Sequence, residues 1–344
     1  MKNVETKKIL VTGGFGFIGS WIAEALVKKG HIVYVVDDLS GGYKENIKTK
    51  DFSISYSIFD LRNDDKVTKL FKHERFEIVH HLAAHPHEGL SLFCPVDIFT
   101  TTCNASINVF KACVNYDVER CIFYSSMGRY GHGNFKPPFS EEYLPNPVDV
   151  YGAAKVAAEV TLKTFAEAHG LKYVILAPHN IFGQRSSLAD PYRNMIMIWI
   201  NCLLRNKPFY IYGDGEAKRA PSYIEDIIEP CVKAGFDDKV VGEVINIGAS
   251  KAYTLNEIAK LVLEEFPSNL EPIHLPTRSC EVKEAYSTVD KSIRLLGYEE
   301  KTPLREGIRK TINWAKKVGA KEPKYLEHIE IEKNFHPAWR DKLI

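Results

Sequence analysis

Short β-branched runs alternate with helical patterns through the first half of the chain. "KILVTG", "IVYVVDD", "EIVHHLAA", "RCIFYSS" and "YVILAP" read as strands buried on both faces, the signature of a parallel sheet covered by helices. A helix is predicted from about Ser20 to Lys29. Others follow the third and fourth runs, in "TTCNASINVFKACVNY" and in "VYGAAKVAAEVTLKTFAEAHG", the latter ended by Gly170. The pattern predicts a doubly wound α/β arrangement.

After Pro178 the rhythm changes to longer loops, a Met-rich helix in "YRNMIMIWINCLLRNK", and the turn "YGDGEAKR". A further strand, "EVINIG", is placed to rejoin the sheet, followed by small helices and a polar, Pro-punctuated tail. A second, smaller lobe is therefore expected from two separated segments. No internal repeat or low-complexity tract stands out.

At 344 residues the chain suffices for one large domain or two intimate ones. Lys plus Arg number 45 against 44 Asp plus Glu, so no global field draws nucleic acid or an anionic membrane, and a charged ligand needs a local cluster. The seven cysteines, Cys94, Cys103, Cys113, Cys121, Cys202, Cys231 and Cys280, form no CxxC pair and read as reduced core thiols of a cytoplasmic protein. The start "MKNVETKK" has no signal-type apolar segment behind it, and no run of about 18 apolar residues occurs. Neither secretion nor membrane spanning is expected.

Gly14, Gly16 and Gly19 satisfy GxGxxG, and Gly13, Gly16 and Gly19 satisfy GxxGxxG. Alone the spacing says little. Here it follows a strand and opens a helix, where glycines let the chain turn tightly and helix N–H groups face a pyrophosphate. At the end of the next strand, Asp37 and Asp38 lie 18 and 19 residues after Gly19. A carboxylate there accepts from ribose hydroxyls and repels a 2′-phosphate, which favours NAD over NADP. The alternative is a glycine turn beside solvated acids.

Tyr151 and Lys155, in "DVYGAAKVAAE", share a helix face. A free tyrosine titrates near ~10, so a tyrosine base at neutral pH needs about 4 kcal/mol of preferential phenolate stabilisation. A neighbouring ammonium and a bound nicotinamide cation are sources of it. The alternative is a packed ring beside a solvated lysine. "FYSSM" ends a strand upstream, at the sheet edge where ligands collect, and supplies Ser126 as a hydrogen-bond partner for the oxygen being oxidised.

In combination the sequence resembles the extended short-chain dehydrogenase/reductase superfamily, and within it nucleotide-sugar epimerases of the UDP-glucose 4-epimerase type. The likeness rests on "TGGFGFIG", "DDLS", "FDLR", "HHLAA", "SSMGRYG", "YGAAK", "PHNIFG" and "YGDGEAKR" in that order. It implies a Rossmann-type sheet with a smaller mixed α/β lobe: residues 1–177 and 224–249 bind NAD, and 178–223 and 250–344 bind the nucleotide sugar. The implied cofactor contacts are Gly13, Gly16, Phe17, Ile18 and Gly19 in the cradle, then Asp37, Asp38, Leu39 and Ser40 at the adenosine ribose. Asp60 and Leu61 are implied at adenine, Leu82, Ala83 and Ala84 along the cofactor, Asn104 near the nicotinamide half, Lys155 at the nicotinamide ribose, and Tyr151 and Pro178 as further cofactor contacts. Ser126, Tyr151 and Lys155 match the catalytic set, with Tyr151 the proton acceptor. Asn180, Asn194, Arg219, Arg278 and Glu281 match the substrate contacts, where Arg forks meet a diphosphate.

Related 4,6-dehydratases carry an Asp-Glu pair after the catalytic Thr or Ser, and related decarboxylases a Glu. Here Met127 and Gly128 follow Ser126, and neither moves a proton. The resemblance thus implies a 4-epimerase with tightly bound NAD, acting on a UDP-sugar foremost, in a homodimer. A dehydrogenase or 4-keto reductase with net redox change, and a non-catalytic NAD-binding regulator, are the other readings. Departures from the family pattern, Arg129, His85, Pro86, His87, Ala220, Pro221 and Ala177, are expected around the sugar and phosphates. His85, His87 and His179 read as loop or packing residues before sugar contacts, and no metal spacing is evident.

Overall fold

The computed structural model describes residues 5–48, 54–131, 136–278 and 281–344. Its centre is a seven-stranded sheet: β1 (Lys8–Thr12), β2 (Ile32–Asp37), β3 (Ile54–Ile58), β4 (Ile78–His81), β5 (Arg120–Tyr124), β6 (Tyr173–Pro178) and a seventh strand, Val244–Ile247. Read across, the order is seventh, β6, β5, β4, β1, β2, β3, and every neighbouring pair is parallel. Winding runs outward from β1 through β2 and β3, then resumes at β4 on the other side of β1. That reversal opens a crevice above the carboxyl ends of β1 and β4.

Side chains along β1 alternate between two apolar clusters. Ile9 and Val11 pack on one face, with Ile122 and Val174; Leu10 packs on the other, with Val79, Phe123 and Ile175. Helix α1 (Phe17–Lys28) covers the first face. Helices α2 (Asp64–Glu74), α4 (Ala105–Asn115) and α5 (Val150–His169) cover the second. α3 (Pro95–Phe99) passes through a π-helical turn, Thr100–Asn104, into α4. Asp149 caps α5 by accepting from Gly152 N at 2.8 Å, and Gly170 ends it at φ 73°.

The doubly wound sheet, the rejoining seventh strand and the Met-rich helix, at Met195–Leu204, match the sequence expectation. Three details differ. α1 starts at Phe17 rather than Ser20, because Gly16 is its extended N-cap. β3, "ISYSI", and α2 were not anticipated. β3 is an edge strand with serines facing out of the core, so it lacks the doubly buried run used as the signal; Ser57 pairs with the Tyr34 hydroxyl at 2.7 Å. Smaller sheets join segments after Pro178, and Trp339 and Ile344 of the tail pack with Leu90, Phe93, Tyr151 and Tyr192. Six cysteines are free and buried, and Cys280 lies outside the described residues. Among the described residues no helix is long and apolar enough to cross a membrane.

Arg129, expected near the sugar, lies instead in the core. Its Nε and Nη2 donate to the Glu159 carboxylate of α5 at 3.0 and 2.9 Å, and its guanidinium lies 5.0 Å from the Tyr130 ring. The Tyr130 hydroxyl in turn donates to Asn246 Oδ1 of the seventh strand at 2.9 Å. The chain thereby ties the end of β5 to α5 and to the sheet edge. Glu159→Ala strands a buried guanidinium and is expected to lower unfolding free energy by about 3–5 kcal/mol, whereas Arg129→Met with Glu159→Leu recovers most of the loss. Urea unfolding of the three proteins measures both effects.

Candidate functional site

Two adjoining cavities open above the carboxyl ends of the strands, of about 410 and 340 Å³. The first begins at the glycine turn. Gly13 sits at φ 65°, and a Cβ there would lie 2.9 Å from Ala83 N. A Cβ on Gly19 would lie 2.1 Å from the Gly13 carbonyl, so α1 touches the turn backbone to backbone. Gly13, Gly16 and Gly19 line the cavity, while Gly14 packs on Val35 and does not. The wider of the two glycine spacings therefore faces the ligand. No side chain caps α1, which leaves its first N–H groups for an anion.

Asp37 closes one side of this turn. Its carboxylate accepts from Phe15 N at 3.0 Å and Leu39 N at 2.8 Å, and burial raises its pKa. Asp38 binds Ser40 N at 2.8 Å, and Asp60 pairs with Arg62 at 2.8 Å. Asp38, Ser40, Asp60, Leu61, Leu82, Ala83, Ala84 and Pro178 all line the first cavity. The shape and donor set suit a dinucleotide: backbone N–H groups for phosphates at one end, carboxylates for a ribose at the other.

Ser126, Tyr151 and Lys155 converge at the cavity's inner end. Ser126 Oγ accepts from Gly128 N at 3.0 Å and shares a hydrogen bond with the Tyr151 hydroxyl. Lys155 Nζ donates to the Tyr124 carbonyl at 2.6 Å, lies 4.8 Å from the Phe123 ring and is 5.8 Å from the Tyr151 ring centre. Burial brings its pKa down to about 7. Tyr151 is pushed well above the ordinary tyrosine value by burial and by Glu88, against Arg193 and the Ser126 bond. The electrostatics thus differ from the sequence expectation: a lysine half-charged at neutrality does not by itself produce a phenolate.

Glu88, from the loop after β4, reaches the junction of the two cavities. By surface area Glu88 is exposed to the solvent of the crevice, while protein atoms surround it at longer range. Burial, Asp149 and Glu281 hold its carboxyl up near 7 against the pull of Arg219 and Arg278. Asn180 and Asn194, both at positive φ, line both cavities. In the second cavity Arg219 Nη2 and Arg278 Nη2 grip the two oxygens of Glu281 at 2.9 and 2.7 Å, and Arg278 stacks 4.4 Å from the Tyr212 ring. Two arginines converging on one carboxylate form a seat for a larger anion.

Two expected contacts lie elsewhere. Asn104 is exposed and off the cavity wall; the π-helical turn shifts the helix register, so Thr101 and Ala105 face the cavity instead. Leu39, at φ 64°, turns its side chain onto the core. Among the departures, Ala177 and Ala220 are core, and His179 is buried between the Ala249 carbonyl and Ser287. His85, Pro86, His87 and Pro221 do line the cavities. His87 holds Asp190 at 3.0 Å, and Asp190 holds Arg193 at 3.1 Å. Glu88, Thr101, Asp190, Tyr192, Arg193 and Trp339 were not anticipated. The charged run "DPYRN" was the available signal for three of them.

Residues 9–248 match the family model of the NAD dependent epimerase/dehydratase family. A Methanocaldococcus jannaschii protein provisionally named UDP-glucose 4-epimerase is 33% identical, over 90% of this chain and 98% of its own length. The Thermotoga maritima UDP-glucose 4-epimerase, solved with UDP-glucose, superposes with TM-score 0.84 at 32% identity, over 90% of this chain and 99% of that one. The Bacillus cereus UDP-glucuronic acid 4-epimerase, solved with UDP-glucuronic acid and NAD, gives 0.84 at 27% identity, with 90% and 99% covered.

Two outcomes follow from this geometry. Gly19→Ala forces α1 off the turn and is expected to weaken dinucleotide binding at least about tenfold, read by calorimetry. Folded Lys155 sheds its proton near 7, while the unfolded side chain keeps it to 10.5. The unfolded state therefore binds more protons between these values, and stability rises with pH there. From pH 7 to 9 Lys155 is expected to add about 2–3 kcal/mol that Lys155→Met lacks. Equal pH slopes in urea unfolding would contradict the burial assigned to this amine.

Proposed function

Because the chain belongs to the NAD-dependent epimerase/dehydratase family, we propose that it is a UDP-sugar 4-epimerase working through a transient 4-keto sugar. The observation that carries this reading is the meeting of Ser126, Tyr151 and Lys155 where a dinucleotide-shaped cavity adjoins an arginine-lined one. NAD, when bound, supplies the hydride acceptor and donor at sugar C4 and, while oxidised, a positive charge. Gly13, Gly16 and Gly19 admit its pyrophosphate, and Asp37 meets its ribose.

Tyr151 takes the proton of the sugar 4-hydroxyl and later returns it, with Ser126 holding the same oxygen. In the free protein the Tyr151 hydroxyl stays protonated, since burial and Glu88 both oppose its ionisation. A cation bound beside it reverses that balance, which ties the base to occupancy of the cofactor cavity. Arg219 and Arg278 exchange Glu281 for the diphosphate, and Glu281 then becomes the nucleoside ribose contact. Asn180 and Asn194 orient the sugar and nucleotide ends. A homodimer packed through α4 and α5 belongs to the same reading, and sedimentation at micromolar concentration measures it.

UDP-glucose, UDP-galactose, their N-acetyl forms and UDP-glucuronic acid are the substrates to incubate and resolve. The expected result is interconversion of one 4-epimeric pair with no build-up of reduced-nicotinamide absorbance. Steady accumulation of NADH would instead indicate a dehydrogenase. Tyr151→Phe is expected to retain NAD and lose about 10²–10⁴ in turnover; unchanged turnover would refute the role of Tyr151.

A further inference from the structure

The reaction above uses Ser126, Tyr151 and Lys155 and leaves Glu88 without a task. Yet this carboxyl faces the reaction centre. It makes no hydrogen bond or ion pair with any described residue. A Cβ placed on Gly128 would come within 3.3 Å of Glu88 Oε1, 3.4 Å of Ser126 Oγ and 3.8 Å of Gly152 Cα. The carboxyl and the serine hydroxyl therefore flank one point above Gly128. Glycines at 128 and 152 keep that point clear of side chains.

The position has a chemical consequence. Once C4 is a carbonyl, the C–H bonds on the carbons beside it become acidic, because the electron pair left behind spreads onto oxygen. Ser126 and Tyr151 serve the C4 oxygen, and a carboxylate across Gly128 from Ser126 is placed for the adjoining carbon. Met127 and Gly128 offer no proton carrier, and Glu88 brings one to the same spot from another loop.

We propose that Glu88 is a second acid–base residue, which removes and returns the proton on a ring carbon next to C4; the proposal rests on the 4-keto reading above. The C–H bond breaks, the proton passes to a Glu88 oxygen, and the electron pair becomes the C=C bond of an enol. Tyr151, carrying the proton taken from the 4-hydroxyl, gives it to the C4 oxygen. Reversal restores the ketone and returns a proton from Glu88, so no oxidant or reductant is consumed. A carboxyl held near 7 carries a proton in either direction at neutral pH. The charged groups facing it are Asp149, Glu281, Arg219 and Arg278, with Tyr151 alongside.

The test is solvent exchange. NAD-loaded protein is incubated in D2O with UDP-glucose, UDP-galactose, UDP-N-acetylglucosamine and UDP-glucuronic acid separately, and the recovered sugars are analysed for carbon-bound deuterium by mass spectrometry and NMR. Hydride transfer at C4 is read independently, from 4-epimer formation and the single-turnover nicotinamide band. The expected result is deuterium at C3 or C5 of at least one sugar. In Glu88→Gln the ratio of exchange to hydride transfer should fall about 10²-fold or more, with partial recovery in Glu88→Asp. Circular dichroism and NAD binding verify that each variant folds. Hydride transfer without carbon-bound deuterium in the unsubstituted protein would overturn the proposal and leave the epimerase reading standing. A Glu88→Gln protein that keeps the original ratio, or loses both activities in equal proportion, would also overturn it. Neither exchange nor hydride transfer with any sugar would overturn both readings.

Discussion

The turn between β1 and α1 brings the Gly19 Cα so close to the Gly13 carbonyl that no side chain fits between them. This backbone-to-backbone contact positions the rest of the site. It aims the first N–H groups of α1 across the reversal in strand order, where β1 and β4 part. It also brings Gly13 against the backbone of Ala83, so the loop after β4 is seated by the same turn. Asp37 accepts from Phe15 N within the turn and thus joins the end of β2 to it. One steric constraint therefore aligns three strand ends, and the loop carrying His85, His87 and Glu88 follows from them.

Electrostatics then divide the crevice. At its inner end burial works against charge: it lowers the Lys155 amine and raises the Tyr151 hydroxyl and the Glu88 carboxyl, all toward the neutral form. At its outer end two arginines share a single carboxylate, Glu281. A ligand that brings a cation to the inner end and a diphosphate to the outer end matches both conditions. Burial and Glu88 thus hold the Tyr151 hydroxyl in its neutral form rather than as a phenolate.

Charges elsewhere in the core serve a different purpose. Arg129 with Glu159, and Arg185 with Glu24 at 2.6 Å, are ion pairs buried on both sides. Their hydrogen bonds link loops to helices. In sequence Arg129 stands three residues after Ser126 and invites a functional reading. Only its partner, 30 residues along the chain, reveals it as a structural tie.

Where local chemistry alone dictates conformation, the sequence was sufficient. Doubly buried β-branched runs, glycines at fixed spacing, an acid closing the second strand, and a tyrosine and lysine one helical turn apart were legible because each depends on neighbours near in the chain. The edge strand β3 was not, since half-exposed strands weaken the apolar signal. Asn104 and Leu39 were misplaced because a π-helical turn and a positive φ rotate side chains in ways that residue type does not encode. Nor was Glu88 legible as a site residue: it meets Ser126 and Gly128 across a gap of about forty residues. Which distant groups share a low-dielectric cavity, and hence which protons can move, is decided by how β4 and β5 align in the sheet, and that alignment exists only in the folded chain.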